Sequence, residues 1–340
     1  MNWSPDQIET IAAMGYTETE ARFLYLVATH SGYFTLRQFL AFSGAHQGKR
    51  STRFAQKLLR KGHASIRDYL GKGSVFHLYS QNLYRRIEKD STGNRRRHSF
   101  EYIRTRLVLL DFVLENLVCT FLETEQDKVR FFCETLAVPE DALPAKVYEG
   151  GPQSRPTVRY FFDRFPLFVD PSASPAPPVA TFSYVDSGSS SITSFGAHLA
   201  AYQALFRHLG AFRFVYVAPR TAPFARAEKR FQSFVKQPLE ADVASEILRY
   251  FLIRKKWDRH EYVVPVTEDF EFLAEARRRF HDERFEGLYH AWLAGAVEEG
   301  ALRAEFSHLN PGPRASFGTY LVRNGGSPVD EVSRRHVNTG

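Results

Sequence analysis

Apolar positions in the first ninety residues recur with a helical period, and glycines cut that period into short elements. Residues 4–14 read as a helix capped by Ser4, with Pro5 at its first position and Gly15 at its end. Thr17 and Glu20 form a capping-box signature for a second helix, whose apolar face is Phe23, Leu24, Leu26 and Val27. A third helix opens at Thr35 and carries Leu36, Phe39, Leu40 and Phe42 before Ser43-Gly44 ends it. The fourth runs from near Gly48 to Lys61. Helical periodicity puts Phe54, Ala55, Leu58 and Leu59 on one broad side and Arg50, Arg53, Lys57, Arg60 and Lys61 on the other. Beyond Gly62 the period changes. Ala64, Ile66 and Tyr69 precede the turn Leu70-Gly71-Lys72-Gly73-Ser74, and Val75, Phe76, Leu78 and Tyr79 follow it. This pattern predicts a β-hairpin tipped by Lys72 and closed by a helix over 81–89.

The middle of the chain begins with a polar loop, Ser91 to Asn94, followed by Arg95-Arg96-Arg97-His98. From Ser99 to Asn116 the apolar positions Tyr102, Ile103, Leu107, Leu110, Val113 and Leu114 predict a long amphipathic helix. A shorter one over 123–137 carries Val129, Phe132 and Leu136. Such a pair serves equally as a connector between domains or as a dimerisation element. Residues 138–156, ending in GGPQSRP, place a domain boundary.

Beyond that boundary strands and helices alternate. Strands are expected at Thr157–Phe162, Leu167–Val169, Val179–Val185 and Phe212–Ala218, with a proline-rich loop at Pro171–Pro178. Helices are expected at Ser194–Leu209 and Ala222–Lys236, then at 241–256, 268–281 and 284–299, with strands at Glu261–Val266 and Ala315–Val322. The predicted fold is therefore α+β or α/β: a winged helix-turn-helix unit at 1–90, a helical connector at 91–138, and an α/β domain at 157–323. Within that domain, hairpin, central strand, helix, strand and helix over 157–240 follow the core order of restriction-endonuclease-like folds, and a helical extension follows. Residues 324–340 have little to bury and are expected to fray.

Charge sharpens this picture. Residues 1–100 carry 16 Lys/Arg against 7 Asp/Glu, whereas the other 240 carry 29 against 31. The basic excess sits wholly in the N-terminal unit, as an electrostatic footprint for nucleic acid does. No acid interrupts the stretch between Arg37 and Arg67. The expected partner is double-stranded DNA. The contacting helix would supply Lys49, Arg50, Ser51, Arg53, Lys57, Arg60 and Lys61, the hairpin Arg67 and Lys72, and the following loop Arg95, Arg96 and Arg97. The competing reading is a solvated helix face or a protein-docking wing. The two cysteines, Cys119 and Cys133, lie in apolar helical context and read as buried thiols in a reducing cytoplasm. No leader segment, membrane-length apolar run, metal-ligand cluster or nucleotide fingerprint is evident, so neither cofactor nor metal nor membrane contact is expected.

The winged-helix order joined to an α/β half resembles the replication-relaxation family of plasmid and mobile-element proteins. In that family a strand ends in an acid-x-Asp-x-Gly run and a helix with a Lys-Leu-x-x-Tyr pattern follows. Here Asp186, Gly188, Leu199 and Tyr202 match, while Tyr184 replaces the acid and His198 the lysine. The resemblance implies a regulator or replication and mobilisation accessory of a bacterial mobile element, acting as a homo-oligomer with a catalytically silent nuclease-like half. The alternative is a metal-dependent endonuclease using Asp163, Asp170, Asp186 and His198. A metal nuclease needs several carboxylates, usually with a lysine, converging at one strand end, and this sequence lacks the second acid and the lysine.

Overall fold

The two threonine caps are where the sequence places them. In the computed structural model α1 (Pro5–Ala13) starts without a side-chain bond from Ser4, but α2 (Glu18–Leu26) opens with the full capping box. Thr17 N donates to Glu20 Oε2 at 2.8 Å, and Glu20 N donates back to Thr17 Oγ1 at 3.3 Å. A π-helical turn, Val27–Ser31, extends α2 and ends at Gly32, whose φ of 78° is left-handed. Then come β1 (Tyr33–Thr35), α3 (Leu36–Ser43, capped by Thr35 with Gln38), α4 (Lys49–Arg60), β2 (Ala64–Asp68), β3 (Ser74–Leu78) and α5 (Gln81–Arg86). β1 joins the predicted hairpin, giving an antiparallel sheet of order β1-β3-β2. The structure describes residues 4–44, 49–68, 74–149, 156–163, 165–170, 178–236, 240–261, 267–280, 283–309 and 313–323. Lys72, most of the 171–178 loop and of the 261–266 strand, and the 324–340 tail lie outside them.

The two faces of this small sheet meet different partners. Phe34 and Phe76 stack at 5.2 Å on the face that carries α4, where Phe54 lies 4.1 Å from Phe39. On the other face Tyr33 and Val75 cluster with Ile103 and Leu107 of α6 (Phe100–Glu115). In α6 every residue from Arg106 to Val113 is buried. A run of eight buried residues exceeds two turns, so this helix is enclosed on all sides rather than amphipathic.

What encloses α6 from the far side is a five-stranded sheet. Its strands are β4 (Thr120–Phe121), β7 (Leu167–Val169), β8 (Ala180–Val185), β9 (Ala211–Ala218) and β10 (Arg314–Leu321). The order is β10-β9-β8-β7-β4, with β8, β9 and β10 parallel and β7 antiparallel to both β8 and β4. One hydrophobic cluster runs from Ile8 and Phe54 through Val108–Val113 to Phe168, Val185, Val217 and Val322. The 91–138 stretch, expected to connect two domains, therefore contributes its long helix to a core shared by both halves. α7 (Glu125–Arg130) passes directly into a second π-turn, Phe131–Thr135.

The opposite face of the large sheet is aromatic. Phe182, Tyr184, Phe212, Phe214 and Tyr216 are covered by α8 (Ile192–Ala201), α9 (Gln203–Arg207) and α10 (Phe224–Phe234). The expected strand at 157–162 stops early and does not join this sheet. It is β6 (Thr157–Tyr160), paired with β5 (Ala145–Tyr148) in a separate exposed ribbon. Phe161 at φ 50° turns the chain there, and the exposed side chains of β6 offer the large sheet nothing to bury. Four helices, α11 (Glu240–Asp258), α12 (Thr267–Phe280), α13 (Glu283–Leu293) and α14 (Glu299–Leu309), bury a cluster of their own around Phe251, Tyr289 and Phe306. The helix expected at 284–299 ends at Gly295, φ 76°, which separates α13 from α14. Among the described residues no helix is long and apolar enough to cross a membrane.

Polar side chains hold α6 in place. Ser31 Oγ donates to Arg106 O at 3.1 Å, and Gln38 Nε2 donates to Leu107 O and to Asp111 Oδ1, both at 2.9 Å. Burial raises the Asp111 carboxyl to about 7, against the lowering pull of Arg37 and Gln38. Its unfolded value is the ordinary one, so its contribution to stability is complete below about pH 4 and is lost as pH rises through about 7. His30 and His77, whose pKa values burial depresses, act in the opposite sense over acidic pH and cancel when a variant is compared with wild type. Asp111→Asn is therefore expected to gain on wild type as pH rises from 4 to 7, by on the order of 1 kcal/mol per pH unit. Parallel thermal melts across that range measure the difference.

Candidate nucleic-acid interface

α4 divides sharply into a buried and an open side. Phe54 touches the rings of Tyr16, Phe23, Phe34 and Phe39, and Ala55 and Leu58 are buried beside it. Leu59, expected to be buried, is instead exposed at the margin of this face. Lys49, Arg50, Arg53, Arg60 and Lys61 are exposed, and among the described residues none of the five forms an ion pair. Thr52 and Gln56 stand exposed among them. The sequence reading missed this pair because it followed charge, whereas their positions on the open helix face were the available signal. Both side chains are suited to hydrogen bonding with base edges.

Two of the expected contacts are otherwise engaged. Ser51 is buried on the packed side of the helix, so it does not belong to the open face. Lys57 Nζ pairs with Glu20 Oε2 at 2.6 Å and lies 5.4 Å from the centre of the Tyr16 ring. Glu20 is the carboxylate that caps α2, so this lysine ties α4 to α2. It is half-buried and serves the scaffold first.

The remaining expected contacts form a second group. In β2, Arg67 is opposite Val75 and shares the sheet face that meets α6, away from α4. Arg67 Nη1 donates to His98 O at 3.4 Å. Arg95, Arg96 and Arg97 occupy a pinned turn rather than a free arm. Asn94 Nδ2 donates to Ala28 O and Thr29 O, and Tyr33 Oη donates to Arg96 O. Arg96 and Arg97 are exposed and Arg95 is half-buried. The basic residues thus form two groups on opposite faces of the small sheet.

The carboxylates proposed for catalysis do not converge. Asp186, at the C-terminal end of β8, is buried with its oxygens engaged. Oδ1 accepts from Gly188 N at 2.7 Å and Ser190 N at 3.1 Å, and Oδ2 accepts from Tyr216 Oη at 2.8 Å. Asp170 follows Val169, which pairs with Ala180 at the opposite end of β8. Asp163 Oδ2 accepts from Tyr202 Oη at 2.7 Å and lies 3.2 Å from His198 Nδ1. Burial works against ionisation of Asp163, yet His198, Lys128 and Tyr202 together hold its carboxyl below the ordinary value. Tyr184, in the position of the missing acid, stacks on Tyr216 at 5.5 Å. Among the described residues no three His, Cys, Asp or Glu side chains gather as a metal site would require.

The chain matches no protein-family model, no curated protein and no solved structure.

Lys57 and Arg53 separate scaffold from surface experimentally. Lys57→Met leaves Glu20 without its cation and is expected to cost about 1–2 kcal/mol of stability, whereas Arg53→Ala stays within about 0.5 kcal/mol of wild type. Urea unfolding of the two variants checks the contrast.

Proposed function

We propose that this protein binds duplex DNA through α4, with the N-terminal unit acting as a winged helix whose wing is the β2–β3 hairpin. The observation that carries the reading is the open face of α4. Five exposed cations outside any described ion pair flank Thr52 and Gln56 on a helix whose other side is fixed by Phe54 and Leu58. Such a face supplies phosphate contacts from its cations and base contacts from the arginines and the two polar side chains. In this reading Arg67 and the turn of Arg95–Arg97 act away from the recognition helix, on backbone phosphates. The α/β half is the restriction-endonuclease-like portion, an assignment supported by a parallel β8–β9 pair joined through α8. It holds two copies at the spacing of paired half-sites and does not cut, because Asp186 is engaged in a turn and Asp170 lies at the far end of its strand. The resemblance to replication-relaxation proteins supplies the setting, a regulator or accessory of a bacterial mobile element.

A fragment ending near Ser91 would bare Tyr33 and Val75 where α6 covers them, so the test uses the full chain. Mobility shifts on duplex DNA are expected to weaken steeply with salt. Arg50→Ala with Arg53→Ala should reduce the slope of log K against log salt by about two. An unchanged slope and affinity in that double variant would sink the assignment of α4. Incubation with plasmid in magnesium or manganese is expected to leave the DNA intact. Cleavage that disappears in a folded Asp163→Asn variant would establish the endonuclease reading instead.

A further inference from the structure

The β5–β6 ribbon stands apart from both other sheets, and among the described residues neither of its strands pairs with a third. Every residue of β5 is exposed. Val147, Tyr148 and Val158 are 59%, 48% and 43% exposed. A lone two-stranded ribbon is marginally stable in water, and an open apolar edge is a template for a further strand.

Hydrogen bonds fix which backbone groups of the ribbon point outward. Phe161 N donates to Pro144 O at 2.8 Å, one step beyond the Ala145–Tyr160 pair. Antiparallel ladders alternate, so Lys146–Arg159 and Tyr148–Thr157 are the hydrogen-bonded pairs, while Ala145–Tyr160 and Val147–Val158 are not. Tyr160 N accordingly turns away from β5 and donates to Glu125 Oε1 at 2.8 Å. Arg159 Nη1 meets the other oxygen of Glu125 at 3.4 Å. The first residue of α7 thus blocks the β6 edge with its carboxylate. On the β5 edge the outward N–H and C=O groups belong to Ala145 and Val147. Among the described residues none of these groups has a hydrogen-bond partner.

This edge is complementary to itself. A second copy added antiparallel across a two-fold axis at Val147 lets the two Val147 residues exchange both of their outward bonds. One face of the joined ribbons then carries a row of four valines, Val158 and Val147 of each copy. β-Branched neighbours of this kind are favoured cross-strand pairs. On the other face Lys146 stands opposite Tyr148 of the second copy. The same two side chains already approach within one chain, Nζ lying 5.4 Å from the ring centre. Moving the axis to Lys146 would set two like charges face to face and present backbone groups that β6 already uses. The axis at Val147 avoids both.

We propose that β5 is the surface through which two copies of this chain associate, joining their ribbons into one four-stranded antiparallel sheet with the two-fold axis at Val147. The inference rests on the two-copy part of the reading above and not on DNA contact by α4.

Sedimentation of the full chain without DNA tests it. The wild type is expected to be a dimer at submillimolar concentration. Val147→Pro removes the N–H on the axis and no bond within the ribbon, and should raise the dimer dissociation constant ten-fold or more. Val147→Lys brings two ammonium groups together on the axis and should do the same. Because the side chain is exposed, both variants should keep the circular dichroism spectrum of the wild type. Val147→Cys should crosslink to its counterpart under mild oxidation, since the paired Cα atoms lie about 5.5 Å apart. Val158→Cys, separated from its counterpart by three strand spacings, should not. A wild type that stays monomeric throughout overturns the proposal together with the two-copy reading. A dimer that both folded variants leave intact, and that Val147→Cys does not crosslink, overturns the proposal alone. Neither outcome bears on α4, whose own test is the salt slope.

Discussion

Enclosure of one helix governs the whole molecule. Residues Arg106 to Val113 of α6 lie between a three-stranded sheet and a five-stranded one, and neither sheet covers that face without it. A helix buried all round gives its two neighbours a common core, so the N-terminal unit and the α/β half are joined by apolar area rather than by a tether. Ser31 and Gln38 reinforce the joint by bonding to carbonyls of the helix, and Asp111 introduces a buried acid where an apolar residue would be cheaper. That acid makes the joint sensitive to pH near neutrality.

With the joint fixed, the basic residues acquire different tasks. Lys57 is drawn to the capping carboxylate Glu20 and stiffens the scaffold, while Arg50 and Arg53, two turns or less away, stay exposed. The small sheet puts Arg67 on the face opposite α4, because side chains alternate along β2 and its register with Val75 points it toward α6. A run of positive charge in sequence thus becomes two surfaces.

Buried polar groups serve the fold in two places. At the end of β8, Asp186 accepts three hydrogen bonds and closes a turn. At the junction beside α6, Asn94 Nδ2 and Arg106 Nη1 instead donate to the carbonyls of Ala28, Thr29 and His30, and so tie the following turn and α6 to the end of α2.

Local physics determined much of this protein from its sequence. The Thr17 and Thr35 caps, the two-sided character of α4, the hairpin pattern and the β8 and β9 strands depend on interactions within a few residues, which spacing and side-chain type reveal. What only the tertiary structure decided depends on which distant surfaces meet. Ser51 and Leu59 exchanged their expected exposure because the margin of the buried face is set by α2 and α3. The strand at 157–160 left the main sheet because β4, a two-residue segment too short to show a period, took the edge beside β7. The helix at 100–115 shows enough polar positions to look amphipathic, yet Arg106 and Asp111 are buried because the His30 carbonyl and Gln38 arrive from elsewhere to bond them, with Tyr102 of the same helix also accepting from Arg106. The junction has no sequence signature at all: His30, Asn94 and Phe161 are far apart along the chain, and only the fold brings them to the wall of one cavity.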